Sequence, residues 1–224
     1  MSLLTILFLL GVAADSPAAV ADDWRDDDAG RVVAIADVHG AYSAMVATLQ
    51  QAGVIDDALR WSGDATHLVI VGDILDRGPR SRAVMDLLMR LEQEAPLVGG
   101  KVLGLIGNHE SMNLLGDLRY VSKEEYAAFA GDETDEERDR WFGAYAARQG
   151  PDGVSEGLRQ KFEQQFPRGY FALRRAFRPD AKYGQWLLSK PIIGVLNRTA
   201  FVHGGLSPTV TELGLDGVNR DLKR

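Results

Sequence analysis

The sequence predicts an α/β domain of layered architecture that carries a helical insertion. Three apolar runs rich in β-branched residues, at 32–36, 68–71 and 102–106, have the composition of strands buried on both faces. Segments with helical periodicity separate these runs, and residues from about 122 to 190 contain mainly helix signals. A strand–helix–strand order of this kind places functional loops after the carboxyl ends of the strands.

Two amphipathic helices are predicted between the three strands. Within residues 42–52, Met45 and Leu49 share one helical face, and Gly53 suits the left-handed position that follows a helix. Residues 81–95 also carry apolar side chains at helical spacing. Both helices are therefore expected to pack against the sheet.

Two capping boxes mark helix starts in the insertion. Ser122 is followed by Glu125 at the required spacing, and Thr134 is followed in the same way by Glu137. The acidic run at 132–137 is interpreted as a solvated helix start rather than a binding site.

Two further strands are predicted within residues 191–202, after the insertion. Asn197-Arg198 between them suits a tight turn, because Asn tolerates positive φ. Residues 215–224 resemble the beginning of a helix rather than the end of a domain. A domain spanning residues 31–224 and incomplete at its carboxyl terminus is therefore expected.

Composition narrows the range of functions. The chain has 224 residues with 46% hydrophobic content, which is ordinary for one globular domain. A formal net charge of −7 argues against nucleic acid as a partner, because binding its backbone requires a basic face. Cysteine is absent from the sequence, which excludes disulfides, thiolate metal sites and a cysteine nucleophile.

The amino terminus has features of a secretion signal. The apolar run at 3–13 is shorter than the ~20 residues of a membrane-spanning helix, and residues 19–21 form a small-x-small cleavage site. Residues 1–21 are therefore predicted to be a removable signal peptide, with export across the inner membrane to the periplasm and no stable membrane anchor. An uncleaved anchor and a misplaced start codon are the alternatives, because the apolar run follows no Lys or Arg. Residues 22–30 are predicted to be an acidic, solvated linker.

Four short motifs that could carry chemistry each follow an apolar, strand-like run. In chain order they are Asp37-Val38-His39-Gly40, Gly72-Asp73-Ile74-Leu75-Asp76-Arg77-Gly78, Gly107-Asn108-His109-Glu110 and His203-Gly204-Gly205. Each alone has a structural explanation, such as a capping Asp beside a surface His or a salt bridge in a turn. Their combination in this order favours a metal site, and an amide oxygen beside Asp and His suits Mn, Fe or Zn rather than copper. His67 begins its strand at the opposite end from Asp73, so a structural or surface role is expected for it.

Together the four motifs resemble those of the calcineurin-like metallophosphoesterases, specifically the phosphoprotein phosphatase branch, over roughly residues 31–210. The resemblance implies a layered calcineurin-like phosphoesterase fold, with a central β-sandwich flanked by helices. Residues 107–121, with a helical insertion at about 114–190, are similar to the bacterial Shewanella-like protein phosphatases.

This resemblance implies two divalent metal ions, manganese in the first place, with iron or zinc as alternatives. Asp37 and His39 would hold one ion, Asp73 would bridge both, and Asn108 and His203 would hold the second. A hydroxide bound between the two metals would attack a phosphate monoester, either on Ser, Thr or Tyr of a phosphoprotein or on a small molecule.

The resemblance also assigns the acid and the phosphate contacts. His109 would protonate the leaving oxygen as general acid, with Asp76 hydrogen-bonded to it. Arg77 would bind the phosphate oxygens through its planar fork of donors. Arg119 would be a second phosphate contact, or alternatively a salt bridge within the insertion.

Two departures from the family pattern leave alternatives open. Ala36 stands where a glycine often precedes the first Asp, and no histidine follows His203, whereas the family has another histidine and another arginine downstream. The chain is therefore expected to be a fragment or precursor, or to lack one ligand of its second metal. A non-catalytic metal- or phosphate-binding remnant and a dinucleoside tetraphosphate hydrolase are the alternative functions. The Asp76-Arg77 pair and the helical insertion disfavour the hydrolase.

Overall fold

The computed structural model describes residues 24–149 and 155–221, in which six strands form two three-stranded sheets. The strands are β1 (Arg25–Asp26), β2 (Val32–Ile35), β3 (His67–Ile70), β4 (Lys101–Gly104), β5 (Ile193–Leu196) and β6 (Thr199–Val202). One sheet has the order β2-β3-β4 and is parallel throughout, and the other has the order β1-β5-β6. The predicted strands are thus confirmed to within one or two residues at each end.

Ten α-helices lie in the same part of the chain. They are α1 (Tyr42–Gln51), α2 (Ser81–Glu94), α3 (Asn108–Leu115), α4 (Lys123–Ala128), α5 (Asp135–Ala147), α6 (Glu156–Gln165), α7 (Tyr170–Ala176), α8 (Lys182–Leu188), α9 (Pro208–Thr211) and α10 (Gly214–Asp221). Gly53 has the positive φ of 64° expected after α1. None of the described helices combines the length and the hydropathy of a membrane-spanning segment.

The parallel sheet is covered on both faces. Leu68 and Ile70 of β3 point into a hydrophobic cluster with α1 and α2, while Val69 between them joins Ile193 and Val195 of the second sheet. The two sheets therefore pack face to face as the expected sandwich. Burial on both faces also explains why the strand sequences are continuously apolar rather than alternating.

The structure departs from the predicted solvated acidic linker at Trp24, Arg25 and Asp26, whereas Asp27 and Asp28 are exposed. Arg25–Asp26 pairs in parallel with β5, and the Trp24 side chain is buried against the second sheet. The backbone at the edge of β5 provides hydrogen-bond partners that composition cannot reveal. Residues 1–23, with the predicted signal peptide, lie outside the described residues.

His67 has the structural role expected of it. It begins β3, and its Nε2 lies 3.0 Å from Asp26 Oδ2. This contact ties β1 to the parallel sheet at the end remote from the motifs. Asn197 and Arg198 have φ values of 47° and 65°, which confirms a tight left-handed turn between β5 and β6.

The insertion is helical, as predicted, and Ser122 and Thr134 accept the expected capping hydrogen bonds. The interpretation of 132–137 as fully solvated is wrong at Glu133. That side chain is buried and accepts hydrogen bonds from the N–H groups of Gly169 and Phe171, both at 3.0 Å. The carboxylate thus satisfies the first turn of α7, a contact distant in sequence.

Glu125 connects the insertion to the main body of the fold. Its carboxylate accepts hydrogen bonds from the N–H groups of Ser81 at 2.7 Å and Arg82 at 3.0 Å, at the start of α2. Helix α2 has no capping side chain of its own, so Glu125 supplies the cap from another element. Burial raises the pKa of the Glu125 carboxyl, although its hydrogen bonds act in the opposite direction.

Candidate active site

The predicted motifs assemble at one edge of the parallel sheet. The loops after β2, β3 and β4 meet there because the carboxyl ends of parallel strands share an edge. The N–H of His39 donates to Asp73 O at 2.9 Å, which joins the first two loops. His203 reaches the same point from the end of β6, and its Nδ1 donates to Val71 O at 2.8 Å.

The backbone of these loops is unusual. Five non-glycine residues have φ values between 45° and 66°, in the left-handed region that costs free energy for residues with a Cβ. They are Asp37, His39, Asp73, Asp76 and Arg77. All five carry side chains that the sequence assigned to the site. The strained backbone therefore occurs at the residues whose side chains must point into the site.

Close backbone packing explains the glycines that flank the motifs. A Cβ on Gly72, which has φ of 79°, would lie 2.7 Å from the Gly107 nitrogen and 3.1 Å from His203 Nδ1. A Cβ on Gly107 would overlap Asp73 Oδ1. Only glycine allows the second and third loops to approach this closely.

The Asp73 carboxylate lies at the centre of the site. It is buried, and its Oδ2 lies 3.3 Å from His203 Nε2, 3.7 Å from His39 Nε2 and 3.9 Å from His109 Nε2. Its Oδ1 accepts the N–H of His109 at 3.1 Å. Three imidazole nitrogens thus converge on one carboxylate oxygen.

The orientations of His39 and His203 favour cation binding. The Nδ1–H groups donate to backbone carbonyls, Leu75 O at 2.9 Å for His39 and Val71 O for His203, so the Nε2 lone pairs face the site. His39 Nε2 is buried and has no hydrogen-bond partner. A buried acceptor without a partner is costly, and a cation at this position would remove that cost.

Two overlapping groups of side chains could hold cations. Their donor atoms lie within 4.8 Å of one another, and the groups are His39, Asp73, His109 and Asp37, Asp73, His203. Asp73 belongs to both. The side chain of Asp37 is 61% exposed and its Oδ1 lies 3.9 Å from His203 Nδ1, so Asp37 is grouped with His203 rather than with His39. Carboxylate and imidazole donors fit Mn, Fe or Zn.

Asn108 completes the side of the site nearest His203. Its Oδ1 lies 3.1 Å from His203 Nε2, and it occupies the first position of α3. The Asn108 amide therefore lies beside the imidazole nitrogen that is 3.3 Å from Asp73 Oδ2.

His109 is held by a second carboxylate. Its Nδ1 lies 2.7 Å from Asp76 Oδ2, and both side chains are buried. Asn113, to which the sequence assigned no role, donates to Asp76 Oδ1 at 2.9 Å and to His109 O at 3.0 Å. Arg77 is an exposed residue whose Nη2 lies 3.2 Å from His109 Nε2. This arrangement orients the imidazole with Nε2 toward the site.

Glu110 organises the loops, although its motif gave it no role. Its Oε2 accepts the N–H groups of Gly107 and Asp73, both at 2.8 Å. Its Oε1 accepts those of Ile74 at 2.9 Å and Leu75 at 3.3 Å. Burial raises the pKa of this carboxyl, and the backbone donors oppose that effect. The sequence signal that could have revealed this role is the position of Glu110 as the third residue of α3, where a Glu side chain can accept backbone N–H groups at the helix start.

Arg119 and Tyr120 lie beside the site. Arg119 forms a two-pronged ion pair with Asp117, with N–O distances of 2.8 Å and 2.6 Å. The structure therefore places it in a salt bridge within the insertion, which was one of the two expectations. The Tyr120 ring lies 5.1 Å from that of His109, and Tyr120 O accepts the N–H of Arg77 at 2.9 Å.

Comparison with known proteins agrees with this geometry. The Shewanella-like protein phosphatase 2 of Arabidopsis thaliana is 35% identical over 207 residues, which cover 86% of this chain and 51% of the plant protein. The Shewanella-like protein phosphatase 1 of Plasmodium berghei is 24% identical over 85% of this chain and 43% of its own length. This chain therefore spans about half the length of these relatives.

A solved structure and a family profile extend the comparison. The crystal structure of a cold-active protein-tyrosine phosphatase from a psychrophilic Shewanella species superposes with a TM-score of 0.66 at 30% identity, covering 89% of this chain and 50% of that one. The profile of the calcineurin-like phosphoesterases matches residues 30–224. Since that match includes five of the six described strands and all four motifs, this chain belongs to the calcineurin-like phosphoesterase family.

Proposed function

We propose that this protein is a metal-dependent phosphatase that hydrolyses phosphate monoesters. The convergence of His39, His109 and His203 on the Asp73 carboxylate carries the proposal. The family match and the relatives named as protein phosphatases support it. We propose a phosphorylated protein as substrate, with a small phosphomonoester as the alternative.

The metal-binding roles are assigned as the sequence suggests. By the family resemblance, Asp37 and His39 would hold one cation, Asn108 and His203 a second, and Asp73 both. In the structure the Asp37 carboxylate is grouped with Asp73 and His203, so its assignment to the first cation rests on the resemblance alone. Manganese is the proposed metal, with iron or zinc as alternatives. When bound, such a pair lowers the pKa of a water molecule and neutralises charge on the phosphate.

His109 is proposed as the general acid. Asp76 accepts its Nδ1–H and stabilises the imidazolium, which leaves Nε2 to protonate the departing alkoxide or phenolate. Because His109 is buried, its orientation is fixed before substrate arrives. Loss of this proton transfer would slow departure of the alcohol more than it would weaken substrate binding.

Arg77 is proposed to bind the phosphate. Arg77 is an exposed residue whose guanidinium contacts His109, and its planar fork of donors matches two phosphate oxygens. Arg119 could serve as a second contact only after separation from Asp117, so its ion pair supports the salt-bridge alternative.

Turnover by the purified protein tests the proposal. With Mn²⁺ present, hydrolysis of nitrophenyl phosphate and of phosphotyrosine or phosphoserine peptides is expected, along with loss of turnover in chelator and recovery on adding Mn²⁺. His109→Asn should lower kcat about 10²–10⁴-fold, while His67→Asn at the far end of β3 should not. Metal binding without turnover of any phosphomonoester would favour the non-catalytic remnant. Selective turnover of dinucleoside tetraphosphate would favour the alternative hydrolase.

We also propose export to the periplasm. The apolar run at 3–13 and the small residues at 19–21 support it. Expression of the full sequence in a bacterium and mass spectrometry of the periplasmic protein should find Asp22 at the amino terminus. Retention of residues 1–21 would contradict signal cleavage.

A further inference from the structure

An aromatic groove lies in the helical insertion, outside the site described above. It has a volume of about 610 Å³ and is lined by residues of α5, α6 and α7. Its lining includes the rings of Trp141, Tyr145, Phe166 and Tyr170. Trp141 is 48% exposed, and its ring stacks on Phe171 with 5.1 Å between centroids. The size falls within the range of ligand-binding clefts.

Five arginines line the same groove: Arg140, Arg148, Arg174, Arg175 and Arg178. Arg175 pairs with Glu137 and Arg178 with Asp180. Within residues 24–149 and 155–221, the other three have no carboxylate partner. Unpaired guanidinium groups are unexpected on a chain with a net charge of −7. They give this groove a local positive charge beside an apolar surface.

The groove adjoins the candidate active site. The Arg174 guanidinium lies directly against Gly116, the residue that ends α3. The segment that begins there reaches Tyr120, which packs on His109 and binds the N–H of Arg77. Residues 116–120 therefore link a groove arginine to the residues proposed to act on phosphate.

We propose that this groove binds an acidic segment of a phosphoprotein substrate, one that carries an aromatic or other apolar side chain. The guanidinium groups would bind carboxylates, and the exposed rings would pack on the apolar side chain. The substrate role rests on the proposed phosphatase function, whereas the binding of the acidic segment does not.

A peptide fits the groove better than a nucleic acid does. Arginine and aromatic rings can also bind single-stranded nucleic acid by stacking, but that mode needs a continuous positive track along the backbone. Here Glu137 lines the groove, and Asp135 and Glu136 lie on the same helix start. A peptide carries its charges on separate side chains, so it can place its carboxylates beside the arginines and away from these acidic residues.

Fluorescence anisotropy provides a direct test. The probe is fluorescein-labelled Glu-Glu-Glu-Phe-Glu-Glu-Glu, compared with peptides in which Lys replaces Glu or Ser replaces Phe. We expect the full chain to bind the Glu/Phe peptide and to bind both variants more weakly. Binding should weaken as salt is added, because the arginines are exposed.

Reversing the charge of two groove arginines tests whether the groove is the surface that binds the peptide. Arg140 is exposed on α5 and Arg148 is exposed directly after it, so Arg140→Glu/Arg148→Glu should fold normally and raise the peptide Kd about tenfold or more. Lys123→Glu/Lys161→Glu is the matched control, because it changes net charge equally at exposed positions outside the groove. The control should bind the peptide as the wild type does.

Kinetics on the same variants test the substrate role. For a phosphopeptide with acidic flanks, Arg140→Glu/Arg148→Glu should raise KM by a similar factor and leave kcat unchanged. Turnover of nitrophenyl phosphate, which is too small to reach the groove, should be unaffected. A wild type inactive on both substrates would refute the phosphatase function, while the anisotropy would still decide whether the groove binds the peptide. Absence of peptide binding, equal loss in both variants, or tighter binding of an oligothymidylate would overturn the proposal.

Discussion

Glu110→Gln tests whether the active-site loops depend on a buried carboxylate. Glu110 accepts four backbone N–H groups from two loops, two on each carboxylate oxygen. Glutamine has nearly the same volume but retains one acceptor oxygen. Two donors would keep a partner, and the other two would face an amide NH₂ that cannot accept.

The expected loss of stability follows from the two lost bonds. Hydrogen bonds to a charged group contribute about 1.5–3 kcal/mol each, so the bonds alone predict a loss of roughly 3–6 kcal/mol. Burying a charged carboxylate costs free energy, and the same cost raises the pKa of Glu110. The neutral amide of glutamine avoids this cost, which offsets part of the loss. We therefore expect the free energy of unfolding to fall by about 2–3 kcal/mol. Because Asp73 N is among the donors, Mn²⁺ affinity should fall about tenfold or more.

Urea denaturation followed by tryptophan fluorescence measures the first effect, and calorimetric titration with Mn²⁺ measures the second. Glu124→Gln is the matched control, because Glu124 is exposed on α4 and should change the free energy of unfolding by less than about 0.5 kcal/mol. If Glu110→Gln had wild-type stability and metal affinity, the organising role of Glu110 would be refuted.

Three further predictions concern single residues. Asp73→Asn should lose more phosphatase activity than Asn108→Ala, because it weakens both metals, and the reverse order in assays saturated with Mn²⁺ would contradict bridging. Asp76→Asn should lower kcat about 10²-fold or more with little change in KM, because His109 loses the carboxylate that stabilises its charged form; an unchanged kcat would exclude that role. The pKa of Glu125 is raised in the folded protein, so protonation of this carboxyl favours the folded state. That contribution to the free energy of unfolding is fully present below the unfolded-state pKa and is lost as pH rises through the folded-state pKa. The stability of wild type relative to Glu125→Gln, from urea denaturation at pH 4–8, should therefore decline with rising pH, and a flat or rising difference would contradict this sign.

The main strands, the helices and the clustering of the motifs were predictable because they depend on local pattern. Leu68 and Val69 are both apolar because opposite faces of β3 are covered, and that double burial appears directly in the sequence. Since parallel strands end at one edge, the residues that follow them converge.

Long-range backbone partners were not predictable. The short strand Arg25–Asp26 exists because β5 offers an edge, and the acidic composition around it suggested a linker instead. Glu110 and Glu133 are buried because each satisfies N–H groups that are distant along the chain. Sequence composition shows only their charge, which predicts exposure. The left-handed φ of Asp37 was equally hidden, since nothing local requires it in a non-glycine residue.

Anomalous diffraction from crystals grown with Mn²⁺ tests the proposed metal centre most directly. Two peaks roughly 3.5–4 Å apart are expected on either side of the Asp73 carboxylate, one beside His39 and the other beside Asn108 and His203. A map without a peak within coordination distance of Asp73 would contradict the proposed centre.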